Sequence, residues 1–327
     1  MNILITGIHG FVGTNLVQTL KTNHSIYGLD IVNPSKAGIV KTYNWNELEI
    51  LPAIDAVIHL AGKAHDTKNQ TAAQSYFDIN TGLTQRIYDW FRASTASKFI
   101  FFSSVKAVAD QVAGVLTEEV EPMPIGPYGE SKMAAEKYLL ETNVHRTNHT
   151  NQNAETDFEY PEGKTKKLYI LRPCMIHGPG NKGNLNLLHQ VVKRGIPYPL
   201  GAFENQRSFC SIDNLSFVIS SLITNNVKEG IYNVCDDESV STNELIQLIS
   251  ASLGKKSLIW HVNKPLIVMA AKVGTALHLP FNTERLQKLT ENYVVSNAKI
   301  KNALGIAQLP VRASVGLTKT LDSFAIT

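Results

Sequence analysis

Asn2-Ile3-Leu4-Ile5-Thr6-Gly7-Ile8-His9-Gly10-Phe11-Val12-Gly13 is the stretch that decides the fold. Asn2 to Thr6 is a short apolar run ending in glycines, the pattern of a buried strand. From Phe11 the apolar residues Phe11, Leu16, Val17 and Leu20 recur at helical spacing through Lys21. Between strand and helix stand three glycines in a GxxGxxG spacing. Glycine there permits a tight turn and lets the backbone approach a pyrophosphate, which faces the free N–H groups and favourable dipole of the helix N-terminus. Three glycines alone could serve packing. Placed directly between a strand and a helix, they read as a phosphate-binding turn.

Working outward, Ser25 to Asp30 reads as the next strand, with Asp30 at its end. A carboxylate there accepts hydrogen bonds from an adenosine ribose and repels a 2′-phosphate, so the expected cofactor is NAD rather than NADP. Ala56–Leu60, Lys98–Phe102 and Leu168–Leu171 read as further strands, the last stopped by Pro173, and Thr81–Ala93 and Ser131–Glu141 as helices. Continuous apolar strands alternating with helices imply a parallel sheet covered on both faces. The expected fold class is α/β: a doubly wound, Rossmann-type parallel sheet with a smaller mixed α/β C-terminal lobe. Residues 1–175 plus about 208–234 are assigned to the first domain, and 176–207 plus about 235–327 to the second lobe, with helical patterns at Thr242–Leu253 and Pro265–Leu277. Residues 143–167, polar and rich in Asn, Thr and His, are long for a connection and read as a surface insertion.

Composition narrows the function classes. The chain has 327 residues, 43% hydrophobic and 18% charged, with a formal net charge of +3. No block of like charges points to nucleic acid. Three widely spaced cysteines, Cys174, Cys210 and Cys235, with no CxxC pair, suit a reduced compartment rather than a disulfide framework or zinc site. The first residues lack the basic and apolar regions of a signal peptide, so a cytoplasmic location is expected. The apolar stretch from Pro265 to Pro280 is interrupted by Lys272 and His278 and is too short for an integral membrane segment.

The chemistry centres on Pro127-Tyr128-Gly129-Glu130-Ser131-Lys132. Tyr128 and Lys132 are four apart and share a face if the segment is helical. A phenol near pKa 10 is a poor base at neutral pH, and a nearby ammonium favours its phenolate. Tyr128 then exchanges a proton with a substrate hydroxyl while hydride moves to or from the cofactor. Phe101-Phe102-Ser103-Ser104 ends a strand at the sheet edge where ligands gather, and a serine there can hold the reacting oxygen toward Tyr128.

With those pieces in register, the sequence resembles the extended short-chain dehydrogenases/reductases, and within them the nucleotide-sugar epimerase/dehydratase group. The matching pieces are TGIHGFVG at 6–13, Asp30, DAVIHLAG at 55–62, Asn80, FFSS at 101–104, PYGESKMAAE at 127–136, LRP at 171–173 and RSFCSIDNL at 207–215. The resemblance implies Ser104, Tyr128 and Lys132 as catalytic residues. It implies NAD contacts at Gly7, Gly10, Phe11, Val12, Gly13, Asp30, Leu60, Ala61, Gly62, Asn80, Tyr128 and Lys132. It makes the second lobe the binder of a nucleotide-sugar, UDP-linked by expectation. Ser104, Lys106, Asn184, Arg207 and Arg285 are the candidate substrate contacts, arginine suiting diphosphate oxygens. No metal is expected, and the family's common homodimer is allowed though no residue marks an interface.

Two departures bear on the reaction. Sugar dehydratases of the group carry an acidic pair directly after the catalytic Ser/Thr, whereas Val105 and Lys106 follow Ser104 here. His177 replaces an aromatic residue in the turn after LRP. The expectation is therefore an NAD-dependent 4-epimerase of a UDP-hexose or UDP-N-acetylhexosamine serving surface polysaccharide synthesis. An NAD(P)H-dependent reductase of a UDP-4-keto-6-deoxy-N-acetylhexosamine is the alternative. A non-catalytic NAD-binding regulator is a third reading, disfavoured because both Tyr128 and Lys132 are present.

Overall fold

The computed structural model describes residues 1–63, 72–148, 166–181, 183–279 and 281–325. Most of the stretch read as an insertion, 149–165, lies outside them. The strands in chain order are β1 (Asn2–Thr6), β2 (Ser25–Leu29), β3 (Lys41–Tyr43), β4 (Ala56–His59), β5 (Lys98–Phe102), β6 (Val115–Leu116), β7 (Lys167–Pro173), β8 (Met175–His177), β9 (Arg207–Ser211), β10 (Gly230–Val234), β11 (Ser239–Val240) and β12 (Val294–Val295). The helices are α1 (Phe11–Leu20), α2 (Ala73–Tyr76), α3 (Leu83–Ala93), α4 (Pro127–Asn148), α5 (Asn184–Lys193), α6 (Ile212–Thr224), α7 (Thr242–Ser252), α8 (Lys264–Ala276), α9 (Thr283–Thr290), α10 (Ala298–Leu304) and α11 (Ala313–Ala325).

Seven strands form one sheet in the order β10-β7-β5-β4-β1-β2-β3, every pairing parallel. Successive side chains of a strand face opposite sides, and both sides are buried. Ile3 and Ile5 enter one core with Ile58, Ile100 and Leu215. Leu4 enters the other with Val57, Phe99, Phe101 and Ile87. This is why the strands read as unbroken apolar runs. Each such fully buried side chain contributes roughly 1.5–3 kcal/mol.

From β1 the chain runs outward to β2 and β3 on one side, then crosses back to β4 on the other. The strand order therefore reverses between β1 and β4, and a crevice opens there beyond the strand ends. A separate, smaller sheet has the order β11-β9-β8. Its core gathers Leu185, Phe209, Val240, Ile249, Leu317 and Leu321, and a satellite cluster of Leu200, Ile267, Ala271 and Leu286 lies under α8 and α9.

Two helices differ from the sequence expectation. The helix expected from Ser131 starts at Pro127, because proline's fixed φ and missing N–H suit the first helical position. The helix expected from Thr81 is the end of a longer run, α2 followed by a π-helical turn, Phe77–Gly82, and then α3.

Candidate functional site

Gly7 adopts φ +66°, a left-handed conformation that side chains disfavour. A Cβ on Gly7 would stand 2.9 Å from the Ala61 amide nitrogen, and one on Gly13 would stand 2.6 Å from the Ile8 carbonyl. Backbone therefore lies on backbone at the crevice. Gly10 is the N-cap of α1, with no side-chain cap and no acidic residue in the first turn, so the helix end presents N–H groups and positive dipole without a competing anion. Phe11 and Val12 begin that helix. A cleft of about 470 Å³ extends from His9, Gly10 and Phe11 to Asn15, Pro179 and Asn181.

Asp30 directly follows β2, and its carboxylate accepts from the backbone N–H of His9 at 3.1 Å and of Ile31 at 2.7 Å. It is thus fixed beside the glycine turn, where a ribose diol would need it. Leu60, Ala61 and Gly62 follow β4 and form the facing wall. A Cβ on Gly62 would lie 2.9 Å from the Asn80 side-chain oxygen and 3.1 Å from Lys132 Nζ. The glycine cradle, the fixed carboxylate and this narrow wall fit an NAD molecule. Asn80 is fully buried in the π-turn. It accepts from the Lys63 N–H at 2.7 Å and donates to Ser131 Oγ at 3.0 Å, tying the wall to α4.

Beneath the wall runs a buried chain of hydrogen bonds that the sequence did not reveal. Ala61 N–H donates to Thr6 Oγ1 at 3.0 Å, and Thr84 Oγ1 donates to the Asn80 carbonyl at 2.6 Å. His59 stands between, 2.6 Å from Thr6 Oγ1 through Nδ1 and 2.9 Å from Thr84 Oγ1 through Nε2. Burial, with a smaller effect of the Lys132 charge, pushes the His59 pKa down to about 3. The ring is neutral, and with Thr84 already donating, Nε2 carries its proton.

Ser104, after β5, and Tyr128 are hydrogen-bonded to each other, and Lys132 lies one turn further along α4, beside Gly62. Pro127 starts α4 so that Tyr128 sits in its first turn, one turn before Lys132. Ser104 hydrogen-bonds Tyr128 and also accepts from the Lys106 N–H at 3.2 Å, which fixes its rotamer. Tyr76 meets the Tyr128 ring edge-on at 6.3 Å. Burial raises the Tyr128 pKa, against the lowering effect of the Ser104 bond. Burial lowers Lys132 to about 8, against the raising effect of Glu136, and its ammonium donates to the Phe102 carbonyl at 2.8 Å. With no dinucleotide bound, the phenol is a weaker acid than free tyrosine.

A buried carboxylate stands behind that pair. Glu136 is 1% exposed. It accepts from Arg172 Nε at 2.9 Å and from the Ser103 hydroxyl. The two adjacent serines therefore divide: Ser103 turns to Glu136, and Ser104 to Tyr128. Glu136 was not singled out in the sequence, although its spacing of four from Lys132 on one helix places both on the same face.

The substrate candidates are more dispersed. Lys106 Nζ pairs with Asp110 at 2.7 Å and stands 5.1 Å from the centre of the Tyr293 ring. Arg207 starts β9, donates to the Lys288 carbonyl and lies 3.9 Å from Glu291. Its Nε has no partner among the described residues. Arg285 is on α9 with its side chain exposed. The side chain of Asn184, first residue of α5, lies outside the described residues. His177 is buried, 2.9 Å from Thr320 Oγ1 and 3.4 Å from Asp236. Among the described residues no cluster of His, Cys, Asp and Glu stands ready to hold a metal, and no helix is long and apolar enough to cross a membrane.

The model of the NAD dependent epimerase/dehydratase family matches residues 3–235. The UDP-glucose 4-epimerase of Vibrio cholerae is 30% identical over 279 residues, covering 81% of this chain and 79% of that one. The N-acetyl-alpha-D-glucosaminyl-diphospho-ditrans,octacis-undecaprenol 4-epimerase of Escherichia coli O157:H7 is 28% identical over 343 residues, covering 98% and 94%. A GDP-6-deoxy-D-mannose reductase of Pseudomonas aeruginosa is 26% identical over 266 residues, covering 76% and 79%. The solved UDP-N-acetylglucosamine 4-epimerase of Bacillus cereus superposes with a TM-score of 0.73 at 18% identity, covering 98% of both chains, and shares the fold.

Proposed function

The chain belongs to the NAD-dependent epimerase/dehydratase family, and we propose that within it the protein is a nucleotide-sugar 4-epimerase acting on a UDP-hexose or UDP-N-acetylhexosamine. It is an enzyme of that family and NAD is its cofactor. The observation that carries the proposal is the group Ser104, Tyr128 and Lys132 at the crevice, followed by Val105 and Lys106 instead of carboxylates. Elimination of water from C5 and C6 needs an acid and a base that this turn lacks. Removal and return of hydrogen at one carbinol carbon needs only the group present.

Bound NAD would accept hydride from C4 and return it to the opposite face of the ring. The chain's residues manage the oxygen and its proton. Ser104 holds the C4 oxygen against Tyr128. Tyr128, as phenolate, takes the hydroxyl proton as the carbonyl forms, and returns it when the carbonyl is reduced. Lys132, with a pKa of about 8, remains largely an ammonium at neutral pH and offsets the phenolate charge. Gly7, Gly10, Gly13, Asp30 and the 60–62 wall would hold the dinucleotide. Arg207, whose Nε has no partner among the described residues, would meet the diphosphate, with Asn184, Lys106 and Arg285 as further candidates on that side. A place in surface polysaccharide synthesis is supported by the name of the Escherichia coli relative.

The Pseudomonas relative, named a reductase, supports the second reading, since the same three side chains serve reduction of a 4-keto-sugar. Proton NMR separates the two. The purified protein is incubated with UDP-N-acetylglucosamine or UDP-glucose and no added cofactor. Appearance of the C4 epimer is the expected result. An unchanged spectrum, together with oxidation of NADH by a UDP-4-keto-6-deoxy sugar, would replace the epimerase reading with the reductase.

A further inference from the structure

Helix α8 contributes no residue to the site described above. Its inner face is Ile267, Ala271 and Gly274, the first two packed with Leu200 and Leu286. The rest of a surface helix should be polar, and here it is not. Leu266 is 55% exposed, Met269 59%, Val273 50% and, just past the helix end, Leu277 64%. At about 100° per residue these four fall in one stripe beside the buried face, with Lys272 on the flank of the stripe and Lys264 on the opposite side of the helix. Exposed Leu258, Trp260 and Leu279 extend the apolar surface before and after the helix.

The charge of the region is one-sided. From Leu245 to Thr283 the chain has no Asp or Glu, but has Lys255, Lys256, Lys264 and Lys272, in a protein whose whole net charge is +3. A short helix with an apolar stripe, a flanking lysine, a basic neighbourhood and a nearby tryptophan has the properties of an element lying in a membrane interface. We propose that α8 docks the protein onto an anionic phospholipid surface. Leu266, Met269, Val273 and Leu277 enter the boundary between headgroups and acyl chains, and Lys272 on the flank of that stripe meets lipid phosphates. A second copy is the less suitable occupant, since self-complementary pairing through α8 would bring like-charged lysines together.

The test is flotation of the full chain with phosphatidylglycerol/phosphatidylethanolamine vesicles and with phosphatidylcholine vesicles. The bound fraction should be about tenfold greater on the anionic vesicles and should fall at high salt. It should be lost in Met269→Ser/Val273→Ser and fall severalfold in Lys272→Glu, exposed substitutions whose integrity is checked by thermal melting. Absence of binding by the parent chain, or equal binding by both variants, would overturn the proposal. So would light scattering that finds a dimer which Met269→Ser/Val273→Ser converts to monomer, because the face would then belong to a second copy. The readout is independent of turnover, so it stands or falls apart from the epimerase reading.

Discussion

Tyr128 and Lys132 share one face of α4, and burial acts on both in opposite directions, raising the phenol and lowering the ammonium. Tyr128→Phe removes the hydroxyl that moves the proton, and turnover should fall by about 10²–10⁴-fold, with NAD still retained in the purified protein as read by its absorbance after denaturation. Lys132→Met should be inactive but more stable at neutral pH. The folded pKa of Lys132, about 8, lies below its ordinary 10.5. The unfolded chain thus binds more protons between those values, and parent stability rises with pH across that window. Holding the buried ammonium costs roughly 3 kcal/mol at pH 7. Urea melts should show the stability excess of Lys132→Met shrinking from pH 8 to about pH 10.5. At this scale Tyr128, Lys132, Ser104 and Asp30 were legible because each stands at a strand end or helix start that the sequence marks. Glu136 was not, because a glutamate on a helix ordinarily reads as solvated, and its partner Arg172 is distant in the chain.

Elements are joined at the site by two kinds of contact, close backbone approach and buried charge. Gly13 is the first kind. Its added Cβ in Gly13→Ala would meet backbone atoms of Gly7 and Ile8 at 2.6–2.8 Å, which cannot swing aside. The turn between β1 and α1 must shift, with a cost of about 1–3 kcal/mol, a lowered melting temperature and at least a tenfold weaker NAD affinity by calorimetry. Glu136 is the second kind, linking α4 to Ser103 after β5 and to Arg172 on β7. Glu136→Gln leaves the Arg172 charge buried without its counter-ion and should cost about 3–5 kcal/mol in urea unfolding. It also removes the influence that raises Lys132, so the alkaline limb of kcat/KM should move to lower pH. Long apolar strands such as β1, β4 and β5 were readable from sequence alone. Two- and three-residue strands such as β3, β8 and β11 were not, because so few residues carry no period and their pairing is decided by the chain that packs beside them.

Across the whole molecule, all three cysteines fall within one core, and burial raises each thiol well above its ordinary range. Ellman's reagent should label none of the three in the native protein and all three in denaturant. The fold class was legible because strand–helix alternation is a global signal. The arrangement of the smaller sheet was less so, since its short strands carry no period of their own.

The position of β10 has a consequence of another kind. It is the edge strand beside β7, yet 56 residues separate the end of β7 at Pro173 from Gly230, and the chain meanwhile builds β8, α5, β9 and α6. During synthesis from the N-terminus, β7 emerges with its outer hydrogen-bonding groups unpaired and waits for its neighbour. The growing polypeptide thus passes through an interval in which the glycine turn, Tyr128 and Lys132 already exist but the sheet that supports them is open at one side. The nascent chain is most vulnerable to mispairing, and most in need of a chaperone, between those two moments on the ribosome.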